Sequence, residues 1–384
     1  MADGGMTMLL ALALTLAAQD VKIDDFEAEP AGWSLLRLEG ASVEADTDSK
    51  IKVVHEAAQV KAGKGALAFT YEVRPGVIHI LALQRELGLK GMKAVRFWAR
   101  SSAATALVLS LTEQNGASYQ CAFSVAAGAW QEVAVNLDEF TIDDPSKDDN
   151  GRLDAEQIVS LHLFDFAGFL ATLVPDIKGP RTVGLDDLSF SAKAVAVTTG
   201  TVAVTKVVPV HLLDSFESPL IRWSPLSVEF GDALKINLYD APLAVDATAP
   251  AGGGKQSLKF TYPRRPAKVH GIMRNTEKLD LGKATALELW LKASVDGTYI
   301  VNLEEKDGSR YDKTLELKAA DGWVSISLAL TDFTLANDSP DENGKLDASQ
   351  IKQVLVADAT SLLGGAEAPS VSLWIDEVRF LLAP

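Results

Sequence analysis

The chain contains one stretch twice: it reads NGRLDAEQI at residues 150–158 and NGKLDASQI at residues 343–351. Gly344 follows Gly151 by 193 residues, about half of the 384-residue chain. A match of this length at such a distance is typical of an internal duplication. We therefore predict that the protein consists of two copies of one folding unit.

The repeated stretch has a local structural interpretation. Asn-Gly predicts a tight turn, because glycine adopts positive φ without steric cost. Asp154, with Gln157 three residues later, has the spacing of a capping box at the start of a short helix. Asp347 and Gln350 repeat this spacing, so each copy is expected to contain one brief helix after the turn.

The same stretch also allows a second interpretation, as a calcium loop of the EF-hand type. Positions 3, 5, 6 and 9 of such a loop would be Asp148, Asn150, Gly151 and Asp154 in the first copy, and Asp341, Asn343, Gly344 and Asp347 in the second. The strong ligand positions 1 and 12 instead hold Ser146 and Gln157, or Ser339 and Gln350. We therefore favour the turn with a helix cap.

Composition limits the class of protein and its partners. With 47% hydrophobic and 23% charged residues, the chain is globular and long enough for two hydrophobic cores. Its formal net charge of −16 argues against nucleic acid and anionic membrane surfaces as partners. A cation, a glycan or another neutral ligand is compatible with this charge.

The N-terminus carries an apolar run from Met8 to Ala18, followed by Gln19 and Asp20. The run is too short to span a bilayer but suits a secretory signal. We predict that residues 1–20 are a signal peptide and that the protein is secreted, periplasmic or at the cell surface. No Lys or Arg precedes the run, so an apolar N-terminal tail is the alternative.

The remaining chain has no segment apolar enough to be a transmembrane helix. Its single cysteine, Cys121, excludes an intrachain disulfide. Cys121 alternates with Tyr119 and Phe123 in a run typical of a strand, which favours a buried, unreactive thiol over a nucleophile.

Alternating patterns predict an all-β fold. Val95, Phe97 and Ala99 share one face of a strand, and Leu287, Leu289 and Leu291 share the matching face in the second copy. Asn115-Gly116 and Asp307-Gly308 separate alternating runs and predict hairpins. We predict two tandem antiparallel β-sandwiches at residues 21–190 and 211–384, joined by a linker or small hairpin at 191–210.

The order of several short motifs resembles that of a known fold. Each copy opens alike, with DDFE (24–27) before Trp33 and DSFE (214–217) before Trp223. The strand FWAR (97–100), a strand led by Trp130 and the terminal LDDL (185–188) follow. Both copies resemble the galactose-binding-like jelly roll of carbohydrate-binding modules and of the complex I intermediate-associated protein family. That resemblance implies the jelly-roll architecture, which carbohydrate-binding modules share, more specifically than it implies a ligand.

Acidic residues at the sandwich ends are candidates for a metal site. A jelly roll brings its first and last strands together, and crowded carboxylates suit calcium. The resemblance implies a structural calcium ion between these strands, with Glu27, Asp187, Glu217 and Glu377 as candidate ligands. The alternative is that these acids face solvent or pair with Lys and Arg.

Two tryptophans are candidate sugar-stacking platforms, because the C–H face of a sugar packs on a flat ring. They are Trp98, between Arg96 and Arg100, and Trp290, between Glu288 and Lys292. His79 and His270 are candidates to line the same faces, although a lone histidine on a strand usually has a structural role. The alternative is that both tryptophan rings lie under a loop or against the other copy.

No catalytic residues are predicted, since the sequence lacks a Gly-x-Ser-x-Gly elbow, a His-Glu-x-x-His motif and a phosphate loop. The favoured function is an exported, non-catalytic, glycan-binding protein. One alternative is a structural or assembly protein of the cell envelope that acts through protein–protein contacts. A weaker alternative is a glycan-active enzyme without a recognised motif.

Overall fold

A computed structural model describes residues 20–143, 148–173, 177–195, 209–230, 235–238, 243–251, 253–337, 339, 341 and 343–383. The predicted signal peptide, apart from Asp20, and most of the predicted hairpin between the copies lie outside these residues.

The strands of the first copy are β1 Val21–Asp24, β2 Trp33–Glu39, β3 Ser42–Ala45, β4 Lys50–Val54, β5 Ala66–Val73, β6 Val77–Gln84, β7 Ala94–Ser101, β8 Thr105–Glu113, β9 Ser118–Val125, β10 Gln131–Asn136, β11 Thr141–Ile142, β12 Ile158–Asp165 and β13 Gly179–Ser191. They form two antiparallel sheets. The smaller sheet has the order β10-β7-β13-β5-β4, with β1 paired to β13. The larger sheet has the order β11-β9-β8-β12-β6-β2-β3.

The strands of the second copy are β14 Val210–Asp214, β15 Ser224–Glu229, β16 Lys235–Leu238, β17 Leu243–Asp246, β18 Ser257–Arg264, β19 Lys268–Asn275, β20 Ala284–Ala293, β21 Gly297–Glu305, β22 Arg310–Leu317, β23 Val324–Ala329, β24 Thr334–Leu335, β25 Ile351–Asp358 and β26 Ala368–Leu382. The smaller sheet of the second copy has the order β23-β20-β26-β18-β17, with β14 paired to β26. Its larger sheet has the order β24-β22-β21-β25-β19-β15-β16. Both orders match those of the first copy strand for strand. The predicted pair of antiparallel β-sandwiches is confirmed.

Each sandwich has its own hydrophobic core between its two sheets. The inward residues of β7, Val95, Phe97 and Ala99, are at most 3% exposed. Trp33 and Trp223 are also buried. The alternation read from the sequence therefore places Trp98 on the outer face of the smaller sheet.

The second copy also contacts the first directly. The N–H of Ile221 donates to the carbonyl of Ala122 at 2.8 Å, and that of Ser124 donates to the carbonyl of Pro219 at 2.9 Å. Leu220 is 8% exposed and packs into the first core. This segment covers part of β9, whose hydrogen-bonding groups would otherwise be open near the sheet edge.

The predicted capping box is wrong, although the Asn-Gly turns form with φ of 65° at Gly151 and Gly344. A 3₁₀ turn follows each of them, and neither Asp154 nor Asp347 makes a side-chain cap bond. In the first copy, Asn150 Nδ2 and Gln157 Nε2 instead donate to the Asp154 carboxylate, at 2.8 and 3.1 Å. Among the described residues, the α-helix is α1, Ala167–Leu173, which was not predicted.

Candidate functional site

Tryptophan side chains cluster on the outer face of the smaller sheet in each copy, which we call the tryptophan face. In the first copy, Arg96, Trp98 and Arg100 point outward and are half-buried. Trp130 lies over Gly184. A Cβ atom added to Gly184 would lie only 3.0 Å from the indole ring of Trp130, so the ring packs where a larger residue would have its side chain. Trp98 pairs with Glu132 on β10, two residues after Trp130. The two rings are therefore diagonal neighbours on this face.

A loop covers one end of this face. Lys61 Nζ lies 4.1 Å from the centroid of the Trp98 ring, and Arg100 Nη1 donates to the carbonyl of Ala58 at 2.7 Å. The backbone N–H groups of Lys61 and Ala62 donate to Asp186 Oδ2, each at 2.8 Å, which holds the loop to β13. Trp98 is thus a half-covered ring rather than the open platform predicted from the sequence.

The tryptophan face of the second copy is built differently. Trp290 points outward from β20 and pairs with Asp376 on β26. Trp374, two residues earlier on β26, fills the position that Gly184 occupies in the first copy and pairs with Lys292. The Nζ atoms of Lys292 and Lys259 lie 4.6 and 5.1 Å from its ring centroid. Glu288 is bound to Arg379 at 2.9 Å.

Sequence reasoning missed Trp374, although a signal was available. Leu373 and Ile375 are at most 1% exposed, so the alternation of β26 directs Trp374 outward. The face thus offers flat indole rings with ammonium and guanidinium donors beside them. Such a surface can stack on the C–H face of a sugar and hydrogen-bond its hydroxyls.

The two histidines do not belong to this face, which corrects the prediction. His79 and His270 are 2% and 3% exposed and stack on Tyr71 and Tyr262, with ring centroids 5.0 Å apart in both pairs. His79 Nδ1 lies 2.6 Å from an oxygen of Asp46. Both histidines point inward from the larger sheet, where a surface ligand cannot reach them.

β1 pairs with β13 in the first copy, so its first and last strands lie side by side. The candidate acids at this edge already have partners. Glu27 Oε1 accepts the N–H groups of Lys64 and Gly65 at 2.7 and 3.3 Å, and Asp187 pairs with Lys22 at 3.0 Å. These residues do not fit a calcium site well.

The equivalent acids of the second copy have a different environment. Glu217, like Glu27, accepts two backbone N–H groups. Lys22, which pairs with Asp187 in the first copy, is replaced by Leu212 at the equivalent position of the first strand of the second copy. Asp376 is fully buried, and none of the described residues donates a hydrogen bond to its Oδ2. Burial, with Glu377 and other nearby carboxylates, raises the pKa of Asp376 to about 8.

A second acidic group lies at the β21–β22 hairpin. Oxygens of Glu305, Asp307 and Asp341 lie within 4.8 Å of one another and could hold a metal ion. Asp341 belongs to the repeated Asn-Gly segment, whereas Glu305 and Asp307 precede it by more than thirty residues. No sequence spacing links the three.

A polar cleft of about 470 Å³ lies between the copies, lined by residues such as Glu139, Asp214, Arg222 and Arg274. Arg222 bridges the copies by pairing with Glu139 and also lies 3.4 Å from Asp214. Burial lowers the pKa of Arg274 to about 10. None of the described residues that line the cleft is aromatic, so they do not offer the stacking surface of the tryptophan face.

Among the described residues, no helix is long and apolar enough to cross a membrane. No protein-family model matches the chain, and no curated protein matches it.

Solved structures with a similar fold include carbohydrate-binding modules. The family 11 module of the cellulase Lic26A-Cel5E of Clostridium thermocellum is 16% identical, with 46% of this chain and 97% of the module covered and a TM-score of 0.36. The tandem CBM22 domains of Paenibacillus barcinonensis Xyn10C are 15% identical, with 96% and 98% covered and a TM-score of 0.32. The module TmCBM61, solved with β-1,4-galactotriose, is 11% identical with a TM-score of 0.27. Such low identities and scores do not transfer a ligand to this chain.

Proposed function

We propose that the protein is an exported, non-catalytic carbohydrate-binding protein that holds glycans on the tryptophan faces of its two copies. The observation that carries this proposal is the clustering of half-buried tryptophans beside cationic side chains on the same outer sheet face of both copies. The copies reach it with different residues, since Trp130 covers Gly184 in one and Trp374 replaces that glycine in the other.

The partial cover of Trp98 is compatible with ligand binding. A cation–π contact at an exposed site contributes about 0.5–1 kcal/mol, and lysine is flexible. A sugar ring could therefore displace Lys61 from Trp98 at a small cost and leave its ammonium group to bind a hydroxyl. The net charge of −16 favours neutral over acidic glycans.

The proposed location outside the cytoplasm follows from the apolar run at Met8–Ala18. We also propose one structural calcium ion in the second copy, at Glu217 and Glu377, because Leu212 stands where Lys22 pairs with Asp187 in the first copy. When bound, calcium would neutralise these carboxylates and fix the first strand of the copy to the last.

Affinity electrophoresis in gels that contain soluble β-glucan, xylan or galactan tests the proposal. We expect at least one polysaccharide to retard the protein, and the double variant Trp98→Ala/Trp290→Ala to lose the retardation while its circular dichroism is unchanged. Phe169→Ala is the matched control. Phe169 is also aromatic and is 39% exposed, but it lies in α1, which follows β12 of the larger sheet, and not on the tryptophan face. Retardation that persists in the double variant, or disappears in the control, would overturn the proposed site.

One observation favours the alternative of an assembly protein. Both copies expose apolar side chains just after the equivalent strands β12 and β25: Phe169 is 39% exposed, and Leu362 and Leu363 are 43% and 64% exposed. Such residues are common at protein contacts. Light scattering at high concentration tests this alternative, which predicts an oligomer that Phe169→Ser/Leu363→Ser dissociates. A monomer at all concentrations excludes self-assembly through these residues.

A further inference from the structure

The cleft between the copies is continuous with the tryptophan face of the first copy. Arg96 precedes Trp98 by two residues on the outward side of β7, and Glu132 lies directly opposite Trp98 on β10. Both Arg96 and Glu132 also line the cleft. Residues two apart on a strand are separated by about 7 Å. A ligand of a few linked rings that stacks on Trp98 can therefore extend into the cleft.

Direct contacts between the copies hold the walls of the cleft in place. An antiparallel bridge joins Phe123 to Leu220, and the Leu220 side chain packs into the first core. Arg222 of the second copy pairs with Glu139 of the first. Backbone, apolar and ionic contacts thus fix the two walls together. A preformed site of this kind lowers the cost of ordering that binding would otherwise impose.

The second copy has two arginines at this end that the first copy lacks. With the copies aligned on their buried tryptophans and stacked histidines, Arg222 occupies the position of Gly32, and Arg274 that of Leu83. Leu83 is fully buried in the first core, whereas Arg274 lines the cleft. Arg274 Nη1 donates to the carbonyl of Arg222 at 3.2 Å, but its buried Nε–H has no acceptor among the described residues. A buried donor without an acceptor indicates a place for a polar ligand or water.

The charged groups that line the cleft compensate one another. Arg96 pairs with Glu132 at 3.5 Å. Arg222 pairs with Glu139 and lies 3.4 Å from Asp214. The lining contains more carboxylates than guanidinium groups, so it does not favour an anion. Guanidinium groups donate hydrogen bonds and carboxylates accept them, and a sugar hydroxyl does both. The lining therefore fits a neutral ligand that is rich in hydroxyl groups.

We propose that the cleft binds the further sugar units of a glycan chain that stacks on Trp98, so that the second copy helps the first to select long chains. This inference rests on the proposed carbohydrate binding and extends it, because the tryptophan face supplies stacking and the cleft supplies hydrogen bonds. The cleft volume of about 470 Å³ lies within the range of about 300–1,000 Å³ that is typical of small-molecule sites. A hydrogen bond to a charged group typically adds about tenfold or more in affinity. A chain that enters the cleft should therefore bind at least about tenfold more tightly than one that covers only Trp98.

Isothermal titration with a length series of oligosaccharides tests this inference. The series, cut from whichever of β-glucan, xylan or galactan retards the protein, runs from the shortest oligosaccharide that binds to the hexasaccharide. Trp290→Ala is the common background, so that only the first copy binds. Ala134→Phe fills the cleft, because Ala134 points outward from β10 opposite Arg96 and lines the cleft. We expect it to weaken hexasaccharide binding at least about tenfold and to leave the affinity for the shortest oligosaccharide unchanged.

Ser327→Phe is the matched control. Ser327 pairs with Glu288 on β20 as Ala134 pairs with Arg96 on β7, so the control adds the same ring at the equivalent position of the second copy. Ser327 does not line the cleft, and the control should therefore keep the preference for long chains. A longer chain also offers more binding registers, so the comparison between these two variants decides the test, rather than the length series alone.

Ser218→Phe narrows the cleft from the wall of the second copy and should have the same effect as Ala134→Phe. It keeps the test decisive if circular dichroism shows that Ala134→Phe does not fold. A preference for the hexasaccharide that persists in the folded cleft variants would overturn this inference and leave the proposed function intact. Equal affinity for short and long chains in the Trp290→Ala parent would do the same. Binding of no oligosaccharide by the wild type would overturn the proposed function as well.

Discussion

Each copy contains a buried arginine–aspartate pair, but the arginine lies on a different strand in each copy. Asp165 is 2% exposed and accepts hydrogen bonds from Tyr71 Oη at 2.5 Å, Thr105 Oγ1 at 2.5 Å and Arg181 Nη1 at 2.8 Å. Arg181 lies on β13, directly opposite Tyr71. The pair therefore ties the last strand to the end of β12.

The second copy places its arginine on the other strand. Asp358 accepts from Tyr262 Oη at 2.9 Å and from Arg264 Nε at 2.9 Å. Val371 occupies the position opposite Tyr262 that Arg181 has opposite Tyr71, and Val73 occupies the position of Arg264. Each copy thus has one arginine and one valine, exchanged between two neighbouring strands.

Arg181→Val should strongly destabilise the first copy, because it leaves Asp165 buried without a cation. Breaking such a pair typically costs 3–5 kcal/mol. The two hydroxyl donors that remain place the expected loss near the lower end, at about 3 kcal/mol. With a urea m-value of about 2 kcal/mol/M, the unfolding midpoint of the first copy should fall by about 1.5 M.

The double variant Val73→Arg/Arg181→Val reproduces the second copy and should recover at least half of the lost stability. Urea titration of the full chain, followed by tryptophan fluorescence, measures both effects. A midpoint for Arg181→Val within 0.5 M of wild type, or no recovery in the double variant, would refute this reasoning.

Three further predictions concern single residues. Burial lowers the pKa of His162 below its ordinary value of 6.5. The contribution of His162 to stability should therefore be complete above pH 6.5 and should fall as the pH drops. Melting curves from pH 7.5 to 5 should show this decline, and His162→Gln should flatten it. Burial raises the pKa of Cys121 to about 12, so iodoacetamide at pH 8 should label the native protein far more slowly than the urea-unfolded chain, and equal rates would show an accessible thiolate. Leu220→Ala should destabilise the first copy by about 2 kcal/mol although Leu220 belongs to the second, because its side chain fills the first core; an unshifted first transition in urea would contradict this contact.

The sequence was sufficient to predict the duplication, the two antiparallel sandwiches and the outward direction of Trp98. These features depend on local signals, namely an internal repeat, Asn-Gly turns and strict alternation along strands. The prediction of a capping box is wrong because the side chains of Asn150 and Gln157 donate hydrogen bonds to the Asp154 carboxylate. In addition, Glu113 accepts the backbone N–H of Asp154. Several partners can compete for one carboxylate, and spacing alone does not decide between them.

The site required contacts between distant parts of the chain. Lys61 covers Trp98, and Lys22 compensates Asp187, through pairings that no short motif encodes. His79 lies on the same face of β6 as the buried Leu81 and Leu83, but β6 is apolar on both faces, so alternation alone does not show which face meets the core. The hairpin carboxylates also come together only after β21, β22 and the Asn-Gly segment have packed.

The indole N–H signals of the seven tryptophans test the central claim most directly. Two-dimensional ¹H–¹⁵N spectra, assigned with single Trp→Phe variants, can be recorded during titration with an oligosaccharide of the polysaccharide that retards the protein. We predict that the signals of Trp98, Trp290 and Trp374 shift with saturation, whereas those of the core residues Trp33 and Trp223 do not. Saturable shifts confined to other residues, or no shifts with any tested glycan, would contradict carbohydrate binding on the tryptophan faces.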